Sequence, residues 1–93
     1  MAEKKQYAES DFDELREAAI RALDIALADG ARKFPPRNWK GVSLYDHLMH
    51  ARDHAIVARR QLFSKRWLRV HLTHLVCRAV MAYALFEETE KNS

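Results

Sequence analysis

The chain of 93 residues is 48 % apolar, with two glycines, two prolines and a single cysteine; it has room for one small domain (1–93) made of helices rather than sheets. One cysteine excludes an intrachain disulfide and a four-cysteine zinc site, and the apolar runs are too short and too often interrupted by charge to cross a bilayer. The net charge of +3 conceals an asymmetry: residues 30–78 hold eleven Lys or Arg against Asp46 and Asp53, a local +9 that leaves −6 for the remainder. A basic centre between acidic flanks favours an anionic ligand there.

No charged-then-apolar leader resembles a secretion signal, so the expectation is a cytoplasmic protein with no membrane partner. Residues 1–9 and 90–93 are polar and are expected to be flexible. Ser10 followed by Asp13 reads as a capping box, and Phe12, Leu15, Ala19, Ala22, Leu23 and Ala26 recur at helical spacing. The first helix is predicted over 10–29, with Gly30 as a left-handed stop.

Pro35-Pro36 cannot continue a helix, so the chain crosses the surface to Ser43, whose hydroxyl can cap a second helix predicted over 43–63. On that helix Leu44, Leu48, Ala51, Ala55 and Leu62, flanked by Tyr45, Met49, Ile56 and Phe63, form the expected core side. Asp46, His47, His50, Asp53 and His54 fall on the opposite arc. Arg52 and Arg59 project from the apolar side and need an anion or solvent.

Ser64 caps a third helix predicted over 64–89. Trp67, Leu68, Leu72, Leu75, Ala79, Ala82, Leu85 and Phe86 make a broad stripe, and Val70, Val76, Cys77, Val80 and Ala84 line its back. Three helices alone can hardly enclose a helix so apolar all round, which points to an all-α, three-helix chain assembling into a helical-bundle homo-oligomer. Within the stripe His71, His74 and Arg78 share one direction and are expected to line a polar pocket.

The loop Gly30–Gly41 is basic and aromatic. Arg32, Arg37, Lys40, Arg52 and Arg78 are candidates to neutralise phosphate; Trp39 can stack on a base, Asn38 can read a base edge, and His50, His54, His71 and His74 can hydrogen-bond phosphate or ribose. Phe34 either stacks beside Trp39 or plugs the bundle end. Five histidines raise the question of a transition metal, but Asp46 and Asp53 are the nearby carboxylates and no metal ligand or cofactor is assigned. No residue is assigned as catalytic: Ser43 and Ser64 are caps, Cys77 lies on an apolar face, and neither a nucleophile elbow nor a Walker or dinucleotide glycine pattern occurs.

The runs Ala28-Asp29-Gly30-Ala31-Arg32-Lys33-Phe34 and Arg37-Asn38-Trp39-Lys40-Gly41-Val42 are followed by Tyr45, by Arg52 with a histidine close behind, and by His71-Leu72-Thr73-His74-Leu75. Over roughly residues 22–87 this order resembles the small helical phage family of dATP/dGTP diphosphohydrolase N-terminal domains. The resemblance implies an all-helical nucleotide-handling fold, similar in style to MazG-like pyrophosphohydrolases, and a phage or prophage origin in a bacterial host. The chain departs from the family where an acidic Gly-Glu-Asp-like connection is replaced by Ser64-Lys65-Arg66 and an asparagine by Arg78, and His54 lies one residue further from Arg52.

Pyrophosphate hydrolysis normally needs several carboxylates holding Mg²⁺ beside the phosphates. With acid replaced by base, the expected function is capture of a nucleotide without rapid turnover, a cyclic-nucleotide immune signal being one such ligand. The alternatives are a metal-dependent dNTP pyrophosphohydrolase using Asp46 and Asp53, and a non-enzymatic module docking nucleic acid or an acidic host protein.

Overall fold

The computed structural model describes residues 7–92, which form three α-helices: α1 (Glu9–Ala31), α2 (Leu44–Arg60) and α3 (Lys65–Lys91). One turn of 3₁₀ helix, Asn38–Gly41, lies between α1 and α2, and there is no strand among the described residues. Of the ends expected to be flexible, Glu9, Glu90 and Lys91 are helical, whereas 1–6 and 93 lie outside the described residues.

Each boundary has a local cause. At the start of α1 the Asp11 carboxylate accepts from the Ala8 N–H at 2.9 Å, so the helix begins before Ser10 and the Ser10–Asp13 box is not the cap. Nor is Gly30 a left-handed stop. It lies inside α1, has no positive φ, and accepts at its carbonyl from the Lys33 and Phe34 N–H groups at 2.9 Å. The Pro35-Pro36 pair, neither of which can donate to a helical ladder, then turns the chain.

Ser43 Oγ accepts from the Asp46 N–H at 3.0 Å, and Ser64 Oγ accepts from the Trp67 N–H at 3.4 Å, so both serines cap as the sequence suggests. Helix α2 ends at Arg60, and Gln61–Phe63 form a turn rather than its last residues.

Helices α2 and α3 are an antiparallel hairpin: His47 meets Arg78 and His54 meets His71. Helix α1 packs on α3 as well, yet α1 and α2 make no packing contact with each other. The result is a thin plate, 51 × 43 × 21 Å, with a radius of gyration of 15.5 Å. A compact chain of this length would have about 12 Å.

The face of α2 that packs is turned by roughly 60° from the expected one, keeping Ala51 but bringing in His47 and His54 from the polar arc. His47, Ala51, His54 and Ala58, at spacings of four, three and four, face α3, with His47, Ala51 and Ala58 buried. Leu44, Tyr45, Leu48, Leu62 and Phe63 are 40–102 % exposed, and Ala55 is exposed too. Two alanines let the helix axes approach, and two histidines that find hydrogen-bond partners on or near α3 are not penalised for being buried. Arg52 and Arg59 reach solvent, which removes the cost of placing a guanidinium among leucines.

A Cβ placed on Gly30 meets nothing within 4 Å. Because the residue is helical, Gly30→Ala is expected to raise stability by about 0.5–1 kcal/mol. Urea denaturation checks this, and a loss of stability would mean that the α1 end needs glycine's freedom after all.

Candidate functional site

The carboxy end of α1, the loop that follows it and the middle of α3 enclose an open cleft of about 430 Å³. Helix α1 contributes Ala26, Leu27, Gly30 and Ala31; the loop contributes Phe34 to Trp39 together with Val42; α3 contributes His74, Cys77, Arg78 and Met81. The lining is mainly apolar, with Arg37, Asn38, His74 and Arg78 as its polar groups and Phe34 and Trp39 as its aromatic ones. That composition, apolar walls with a few convergent polar groups, is usual for small-molecule sites.

A buried relay fixes one wall. His47 is fully buried, its Nε2–H donates to the Trp39 carbonyl at 2.9 Å, and its Nδ1 accepts from Arg78 Nη1 at 3.1 Å. Both ring nitrogens are therefore used, which requires the neutral imidazole protonated at Nε2. One side chain thus positions the indole-bearing turn and the guanidinium together. From the other side Lys40 Nζ donates to Glu88 Oε1 at 2.7 Å and lies 5.7 Å from the Trp39 ring centroid. This ion pair holds the Glu88 carboxyl below its ordinary pKa.

Arg37 introduces the 3₁₀ turn with φ 64°, a left-handed conformation that side chains rarely adopt. Glycine is the residue such a position ordinarily takes. Here the same backbone position puts a cation on the rim of the cleft.

His74 is one of three clustered imidazoles. The His54 ring centroid lies 5.3 Å from those of both His71 and His74, and His54 Nδ1 and His71 Nδ1 share a hydrogen bond of 3.0 Å. Trp67 stacks on the outer side of His71 at 6.3 Å. Burial first, then the positive fields of His74, His71, Arg78 and His50, push His54 down to about 4. His54 is neutral at pH 7.

His74 Nε2 turns toward α1 and lies 3.1 Å from Asp29 Oδ2. The same carboxylate receives Arg32 at 2.9 Å and Lys33 at 3.3 Å, and these bonds hold Asp29 below its usual pKa. Burial raises the Cys77 pKa, so this lining thiol stays protonated and is a poor nucleophile.

Of the eleven residues singled out in the sequence, Arg37, Asn38, Trp39, His74 and Arg78 line this cleft. His54 and His71 stand directly behind it. Arg32, Lys40, His50 and Arg52 do not line it: Arg32 is exposed on Asp29, Lys40 is paired with Glu88, His50 is exposed, and Arg52 leans on Asp53 at 3.4 Å. His47, the residue that orders the cleft, is not among the sequence candidates. Its signal was its four-residue step to Ala51 and seven-residue step to His54.

Asp46 and Asp53 are exposed on α2 and do not line the cleft, and no Asp or Glu is among the lining residues. Among the described residues no three His, Cys, Asp or Glu side chains gather closely enough to hold a metal ion. No helix of the described chain is long and apolar enough to cross a membrane. No protein-family model matches the sequence, and no curated protein or solved structure matches it either.

His47→Leu leaves the Arg78 guanidinium and the Trp39 carbonyl without their partner, and it is expected to cost about 2–3 kcal/mol in chemical denaturation. His47→Gln retains one donor and one acceptor and should recover part of that loss; equal losses in the two variants would show that ring volume matters rather than the relay.

For His54 the folded pKa of about 4 lies below the ordinary histidine value of 6.5. Its contribution to stability is therefore complete above about 6.5 and is lost as pH falls through 4. The denaturation midpoint should drop between pH 6.5 and 4, and His54→Gln should flatten that drop; an unchanged profile would place the acid sensitivity elsewhere.

Proposed function

We propose that the cleft captures a phosphorylated nucleotide and holds it without rapid turnover. The observation that carries this reading is the convergence of Phe34, Arg37, Asn38, Trp39, His74 and Arg78 on one concave surface. Aromatic faces and apolar walls suit a base; Asn38 can both donate to and accept from a base edge; the guanidinium groups of Arg37 and Arg78 suit phosphate. His74, a donor when protonated, adds to the phosphate end.

Capture is favoured over hydrolysis by the placement of the carboxylates. Asp46 and Asp53 stand on α2 outside the cleft, and Asp29, close to His74, is already engaged by Arg32 and Lys33. Holding Mg²⁺ against a polyphosphate needs carboxylates beside it. The resemblance read from the motifs of the sequence, to the phage diphosphohydrolase N-terminal domains, suggests a nucleotide as the ligand class and extends the proposal to a phage-encoded protein acting in the cytoplasm of its host. A cyclic-nucleotide immune signal fits a protein that withholds its ligand. The leucines and aromatics left exposed on α2 and α3 support self-association.

The experiment is incubation of the protein with a panel of linear and cyclic nucleotides, followed by gel filtration, heat denaturation and mass spectrometry of the released small molecule. Intact ligand is expected, with affinity lowered at least tenfold in Trp39→Ala and in Arg78→Gln. Monophosphate release that disappears in Asp53→Asn would overturn capture in favour of hydrolysis, and failure to bind any nucleotide would overturn the ligand class.

A further inference from the structure

Helix α3 carries on its outer side a stripe that α1 and α2 leave largely uncovered, Val76 being its one half-buried member. Leu72, Val76, Ala79, Tyr83 and Phe86 follow one another at spacings of four, three, four and three, with Val80 beside Ala79. At 100° per residue all six fall within about a third of the helix circumference. Leu72, Val80, Tyr83 and Phe86 are 45, 41, 61 and 47 % exposed. The side chains packed within the chain, Thr73, Cys77 and Ala82, lie outside that arc. Alternating three- and four-residue steps are the spacing of a helix-pairing seam, and among the described residues no helix packs on this one.

Charge gives the seam a direction. Lys65 and Arg69 continue the stripe at the amino end, Glu87 and Glu90 continue it at the carboxy end, and no charged residue falls on it between 72 and 86. Two such helices side by side in the same direction would set Arg69 against Arg69 and Glu87 against Glu87. Run in opposite directions about Ala79, they put Leu72 against Phe86, Val76 against Tyr83, and Arg69 within a turn of Glu87. The smallest side chain of the stripe then falls where the two helices cross, allowing the closest approach.

The chain as a whole is more exposed than a compact protein, so it has surface left to bury on association. The chain exposes 7842 Å², against about 5600 Å² for a compact protein of its mass. A stable interface takes roughly 800 Å² from each partner.

We infer that α3 pairs with α3 of a second copy of this chain, antiparallel, about a two-fold axis through Ala79. The inference rests on the self-association proposed above and assigns it a face and a direction. The other exposed apolar side chains, on α1 (Phe12, Leu15, Ile20, Ile25 and Leu27) and on α2, play no part in this contact.

Mass by light scattering across a micromolar dilution series tests it, with circular dichroism confirming that each variant keeps its helices. The substituted positions are exposed, so the fold does not depend on them. Ala79→Arg, which puts two guanidinium groups on the axis, should raise the dissociation constant at least tenfold, or lower the mass by a discrete step if the native assembly is larger than a dimer. Arg69→Glu and Glu87→Arg should each weaken association several-fold, and the double variant should return it to within about twofold of native. Association unchanged by Arg69→Glu, as when residue 69 faces its own copy and like charge meets like charge in both proteins, would overturn the antiparallel direction. An associated protein indifferent to Ala79→Arg would overturn the face while leaving self-association standing. A native protein that is monomeric throughout would overturn both, and nucleotide binding measured on the same samples reports separately on the cleft.

Discussion

The imidazole of His47 is the constraint around which the rest of the structure is arranged. Among the described residues it is the large side chain with no exposure at all, and it joins three pieces of chain at one point: the 3₁₀ turn through the Trp39 carbonyl, α2 on which it stands, and α3 through Arg78. An aliphatic residue in its place would fill the space but leave a carbonyl and a guanidinium facing an apolar wall. The polar core therefore specifies position, whereas Ala26, Ala51, Ala58, Cys77 and Ala82 supply closeness. Such a core buries little apolar area, in keeping with a chain that leaves many leucines and aromatics outside.

Much of the helical plan was legible in the sequence, and the reasons are local. Ser43, Ser64 and the two prolines act within a turn of themselves, so their positions mark α2, α3 and the loop without reference to the rest of the molecule. Gly30 misled because glycine signals a left-handed stop only where the backbone requires one, and here the positive φ fell on Arg37 instead. The orientation of α2 was not legible. Periodicity told which residues share a side, but the usual rule that the aliphatic side turns inward assumes that the chain supplies its own cover.

The candidate site was half legible for the same reason. Arg37, Asn38 and Trp39 are neighbours in sequence, and His74 and Arg78 are one turn apart on α3, so each group arrives at the cleft as a unit. Arg32, Lys40 and Arg52 looked equivalent to them in composition but found carboxylates within reach, and a cation paired on an exposed surface is not drawn into a cleft. Which cations pair and which remain for a ligand depends on where Asp29, Asp53 and Glu88 lie, and for Glu88 that is a matter of tertiary contact.

The absence of packing between α1 and α2 has a mechanical result. The α2–α3 hairpin is tied by the relay and by the imidazole cluster, but α1 is joined across the mouth of the cleft by the pairing of His74 with Asp29, a bond between partly exposed groups. Helix α1 has no support from α2, so one wall of the cleft hangs on α3 alone, through its packing there and this one polar clasp; whatever loosens that single interface shifts the whole wall.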